Sequence, residues 1–212
     1  LCEADLEHTY LKGINLIGAD LREAKLEQTN LSRAKLGFTT LRGIDLSDAN
    51  LIRANLIGAN LCCAYLNLAD LSWAKLREAT LTGAKLIGAN LIHSDLKHAS
   101  LADTKLINAD LRKADLSEAN LIEANLTWAN LEQANLQGAN LTEATLCRAN
   151  LKGANLSRAI LYKANLEEAD LSGANLSGAD LSGAMLCDAN LEGANLSGAI
   201  LSGAIQLCRR YA

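Results

Sequence analysis

The stretch Ala119-Asn120-Leu121-Ile122-Glu123-Ala124-Asn125-Leu126-Thr127-Trp128-Ala129-Asn130-Leu131 repeats itself every five residues: alanine, asparagine, leucine, then two variable residues. Extended outward, the register never slips. Leucine stands at every fifth position from Leu1 to Leu201, 41 leucines in phase. The residue two places before each is nearly always alanine, the one just before is usually Asn or Asp, and the two after are mostly polar. Only residues 206–212 fall outside. A chain of such small identical units reads as a stack of repeats and not as an ordinary globular domain.

A period of five fits neither regular element. An α-helix advances about 100° per residue and would scatter these leucines around all its faces. A continuous strand would point them alternately to opposite sides. Alanine and the leucine two places on do share one face of a short strand, so each repeat reads as one short side followed by one bend. The glycines agree, since 14 of the 15 lie two places after a leucine, where a bend needs them, and only Gly37 does not. The period leaves three or four sides per turn open. Sides of roughly 10 Å closing at the usual ~10 Å between facing sheets give an approximate square of about 20 residues per coil, with coils stacked about 4.8 Å apart.

The A-(N/D)-L-x-x pattern over Leu1 to Ile205 resembles the pentapeptide-repeat family, in which the central residue is Leu or Phe; here it is always Leu. The resemblance implies an all-β fold, a right-handed quadrilateral parallel β-helix of about ten coils of four pentapeptides spanning 1–205, with 206–212 as a C-terminal tail or cap. It also implies a bacterial, non-enzymatic scaffold that binds an unidentified protein partner. An alternative from the same family is mimicry of duplex DNA, with DNA gyrase or topoisomerase as the target and inhibition or quinolone protection as the outcome.

Composition narrows this further. Half the residues are apolar but only 3% are aromatic, which predicts a core of leucine and alanine, and a net charge of −4 gives no strong field of either sign. No run approaches the roughly 18 apolar residues of a membrane span. The chain opens inside a repeat without methionine, which predicts a fragment or processed product. The six cysteines do not form a disulfide framework: Cys147 and Cys187 share a column but lie two coils apart, beyond the ~7 Å that a disulfide tolerates between α-carbons. Free thiols are expected, and with them a reducing, cytoplasmic setting.

Residues twenty apart should stack, which turns the sequence into columns. The column Asn30, Asn50, Asp70, Asn90, Asp110, Asn130, Asn150, Asp170, Asn190 predicts an amide ladder along the rod. By side, the charge is −4 on each of the two sides centred on Leu1 and Leu6, and about +1 on each of the other two. On the basic flank one corner reads Arg33, Arg53, Trp73, His93, Lys113, with Lys35, Lys75 and Arg112 close by; cations beside an indole suit an acidic partner. Thr9, Thr29, Thr39, Ser94 and Thr104, with Ile14 and Ile44, replace the usual alanine, so the amino-terminal coils should be the less regular ones. Buried hydroxyls there should bond to nearby backbone.

A rod packed with Leu and Ala predicts no catalytic pocket, no cofactor and no metal site, and no direct binding of nucleic acid. His93-Ser94-Asp95 imitates a triad in one dimension only, because Ser94 should face inward while its neighbours face out. At the carboxyl end Met185, Ile200 and Ile205 replace the polar residue before leucine. With Leu207 and Tyr211 of the tail they form a candidate cap, or else a dimer contact through the C-terminal end.

Overall fold

In the computed structural model, which describes Leu1 and residues 3–205, each residue that precedes a leucine pairs in parallel with the residue twenty positions on. These pairings run from Asp5 with Lys25 to Met185 with Ile205. Twenty residues divided into four five-residue sides make the turn a square, so the fold is a right-handed quadrilateral β-helix. No helix occurs among the described residues. None is therefore long and apolar enough to cross a membrane.

The repeat around Leu51 shows why the pattern holds. Leu51 N–H donates to Asp70 O (2.7 Å) and Arg53 N–H to Ser72 O (3.0 Å), both one coil up. Asn55 N–H donates to Ala34 O one coil down (2.9 Å), and Ala54 N–H closes the bend onto Leu51 O (2.9 Å). The fifth amide, that of Ile52, has no backbone acceptor and donates to Asn50 Oδ1 (3.1 Å). Each of the 26 Asn and Asp residues standing before a leucine catches the amide two places on in this way. The short side chain thus caps the one donor that the stacking leaves over, which explains the preference at this position.

The bend Leu-x-x-Ala has a positive φ at its third residue and not at its second, the pattern of a type II turn. All the third residues adopt it, 27 of them without being glycine. Gly37 stands one place early and lacks it, and Phe38 occupies that left-handed corner instead, at φ 55°.

Leucines and alanines fill the interior, nearly all of them fully buried between Leu26 and Ala184. The end coils are opened to solvent, with Leu1 60% and Leu201 41% exposed. Where a hydroxyl replaces alanine it donates to backbone: Ser94 Oγ to Leu91 O (2.8 Å), Thr104 Oγ1 to Leu101 O (2.6 Å), and Thr29 Oγ1 across the coil to Leu6 O (2.9 Å). No buried side-chain nitrogen or oxygen among the described residues lacks a partner.

The parallel pairing continues without interruption through the amino-terminal coils, Lys25 with Asp45 and Asp45 with Tyr65, and Ile44 is accommodated there, buried in an alanine position.

Two expectations need correction. The amide ladder in the predicted column is limited to Asn150 Nδ2 on Asn130 (3.1 Å) and Asn190 Nδ2 on Asp170 (3.1 Å). The longer run lies in the next column, where Asn135 donates to Asp115 (3.0 Å), Asn155 to Asn135 (3.0 Å), Asn175 to Asn155 (3.3 Å) and Asn195 to Asn175 (3.2 Å). Its foot explains how Asp95 and Asp115 tolerate each other, since Arg77 bonds Asp95 (3.1 Å) while Asn135 bonds Asp115. Among the cysteines, Cys62, Cys63 and Cys147 are free, but Cys187 is disulfide-bonded. The distance argument rightly keeps Cys147 and Cys187 apart, but the expectation of free thiols throughout fails at Cys187.

Candidate partner-binding corner

Arg33, Arg53, Trp73, His93 and Lys113 each occupy the left-handed third position of a bend, with φ between 57° and 61°. That geometry throws each side chain outward from a corner, and the twenty-residue repeat sets them one above another. The Trp73 and His93 rings stack with centroids 4.1 Å apart and planes 21° from parallel. The Arg53 guanidinium lies 5.9 Å from the Trp73 ring centre. Trp73 is therefore flanked by its two column neighbours, while half of its surface stays exposed.

Two open grooves flank this stack. The lower, about 520 Å³, is lined by Lys12, Ser32, Arg33, Asn50, Ile52, Arg53, Ser72 and Trp73. The upper, about 290 Å³, is lined by Ile92, His93, Arg112, Lys113, Glu132 and Gln133. Their electrostatics differ. Arg112 in the upper groove is bound to Asp110 of its own repeat (2.6 Å), a bond that raises the guanidinium pKa and occupies its charge. Lys12, Arg33 and Arg53 in the lower groove form no ion pair among the described residues.

The remaining polar groups do not converge. Ser94 is buried and donates to Leu91 O, while Asp95 is held by Arg77 and caps the Lys97 amide, so His93, Ser94 and Asp95 serve three separate contacts. Cys147 is pushed above its ordinary pKa by burial and by nearby Glu167, the opposite of an activated thiol. No group of three or more His, Cys, Asp or Glu among the described residues is placed to hold a metal ion.

At the carboxyl end Met185 and Ile205 pair across adjacent coils, and Met185, Ile200 and Ile205 are all exposed. Leu207 and Tyr211 lie outside the described residues. Sequence reasoning passed over three further cation–aromatic contacts: Lys85 over Tyr65 (4.4 Å), Arg148 over Trp128 (4.9 Å) and Lys163 over Tyr162 (5.1 Å). The first two join residues twenty apart, so column counting would have found them. Arg148 also bonds Glu168 on the next coil (2.8 Å).

A filled core with its distinctive side chains at the corners defines a display solenoid. The profile described as pentapeptide repeats matches in eight copies between residues 1 and 203, and the chain belongs to that family. It is similar to HetL from the cyanobacterium Nostoc sp. strain PCC 7120, a pentapeptide-repeat protein involved in heterocyst differentiation regulation. The two are 41% identical over 97% of this chain and 90% of HetL, with a TM-score of 0.73. It is also similar in fold to trypsin-treated QnrB1 (R167E), a plasmid-mediated fluoroquinolone resistance protein, at 20% identity over 94% of this chain and 91% of that one, TM-score 0.58. None of the curated proteins matches the chain.

Proposed function

We propose that this chain is a non-enzymatic scaffold that binds another protein through the corner formed by Arg33, Arg53, Trp73, His93 and Lys113. The observation that carries the reading is the Arg53–Trp73–His93 stack beside cations that form no ion pair among the described residues. A regulatory protein such as the Nostoc relative is a natural setting for such a scaffold. The reading calls for no cofactor; exposed free Cys63 suits a cytoplasmic setting, whereas the disulfide at Cys187 points to an oxidising one. Mimicry of DNA is the weaker reading, because a phosphate-like surface requires acidic groups where this corner presents cations. For the exposed end patch of Met185, Ile200 and Ile205, a cap and a dimer contact are the competing uses. Sedimentation of the purified chain separates the two.

The test is affinity capture from the source organism with wild type, Trp73→Ala and Arg53→Glu as baits. Loss of a partner from both variants supports the corner. An identical set of partners on all three baits removes it.

A further inference from the structure

The lower groove has a composition that the corner alone does not describe. Over its four coils the face carries Lys12, Arg33, Lys35, Arg53 and Lys75, and none of these five makes an ion pair among the described residues. The acids nearest to them in the lattice are already engaged: Asp95, paired with Lys75 one coil up, by Arg77 (3.1 Å) and the Lys97 amide (3.3 Å), and Asp70 by the Ser72 amide (2.9 Å). Elsewhere the rod neutralises many of its cations: Arg22, Lys25, Arg77, Lys97, Arg112, Arg148 and Lys163 all have carboxylate partners. Stacked cations at about 4.8 Å repel one another, so this face gains from a bound anion more than any paired part of the rod does.

We propose that this face receives a short acidic segment of the partner protein, extended along the rod axis from Lys12 to Lys75; the proposal rests on the scaffold reading above. Three observations favour a peptide carrying carboxylates. Arg33 and Arg53 present two planar forks one coil apart, the geometry that takes carboxylates bidentately. Ile52, between them on the groove floor, offers an apolar contact for one aliphatic side chain. Trp73 is a poor platform for a nucleobase, because His93 covers one ring face at 4.1 Å and the Arg53 guanidinium, 5.9 Å from the ring centre, crowds the approach from the coil below. The indole instead positions Arg53 and leaves its edge to the groove. Four coils rise about 14 Å, the length of four or five extended residues.

The experiment measures fluorescence anisotropy of a labelled Glu-Glu-Leu-Glu-Glu peptide, of its Gln-Gln-Leu-Gln-Gln counterpart, and of an oligothymidylate of about fifteen nucleotides. The proteins are wild type, the double variant Arg33→Glu/Arg53→Glu, and Arg42→Glu/Arg158→Glu, which makes the same change in net charge at two unpaired cations on other sides. Circular dichroism and melting confirm that all three are folded. The acidic peptide should bind wild type, weaken at least about tenfold in the first variant and change less than about twofold in the second, and weaken as salt rises. The glutamine peptide should not bind. Equal losses in the two variants, no binding of the acidic peptide to wild type, or tighter binding of the oligothymidylate would each overturn the proposal. If the captured partner still depends on Arg53 while the acidic peptide fails to bind, the scaffold reading stands and the acidic class falls. If capture is also unaffected, both fall.

Discussion

The two halves of the rod obey the same lattice differently. Every replacement of the core alanine lies at or before Thr104, and these replacements fall on all four sides of the rod. Beyond Asp115 the core alanine is constant, asparagines bond in a continuous run to Asn195, and the column that carries Arg33, Arg53, Trp73, His93 and Lys113 passes through Gln133 to Gly153, Gly173 and Gly193. The upper half is the repeat in its most regular form. The lower half carries the core substitutions and, on one side, the stacked indole among cations that form no ion pair with the described residues.

The sharpest contrast is between the middle of the core and its end. Leu136→Ala should cost about 2–5 kcal/mol in chemical denaturation, the range for a fully buried leucine, and Leu6→Ala clearly less, because its coil is already open to solvent. Equal losses would show that the ends are as well packed as the centre. Next, Asn155→Ala removes the cap on Ser157 and both rungs of the ladder, to Asn135 and from Asn175. At about 0.5–1.5 kcal/mol per bond it should cost about 1.5–4.5 kcal/mol, whereas Lys75→Ala, with no such bonds, should be close to neutral in the same experiment.

Gly173→Ala probes the corner itself. Its φ is 65° and an added Cβ would meet nothing within 4 Å, so the expected loss of about 1 kcal/mol in melting measurements is purely conformational.

Much of the architecture was legible because leucine and alanine are buried with a fixed period, and burial writes itself into sequence. The glycine register was equally readable, down to the lone exception at Gly37. The role of Asn and Asp was not, because the amide they cap becomes an orphan only once the coils are stacked. The disulfide at Cys187 escaped an argument that tested only its pairing with Cys147. The corner was identified as a column, but the imbalance between its grooves depends on which cations find carboxylates, and that is set by side-chain reach.

The amide cap that each asparagine provides has a wider meaning for relatedness. With alanine and leucine fixed by packing and asparagine fixed by its capping bond, three residues in every five are dictated by the coil before any partner is chosen. Two members can share the 41% identity seen with HetL on those positions alone. Kinship of purpose within this family is written in the remaining two residues of each repeat, and a comparison restricted to those corner pairs, coil by coil, is the one that sorts its members by what they hold.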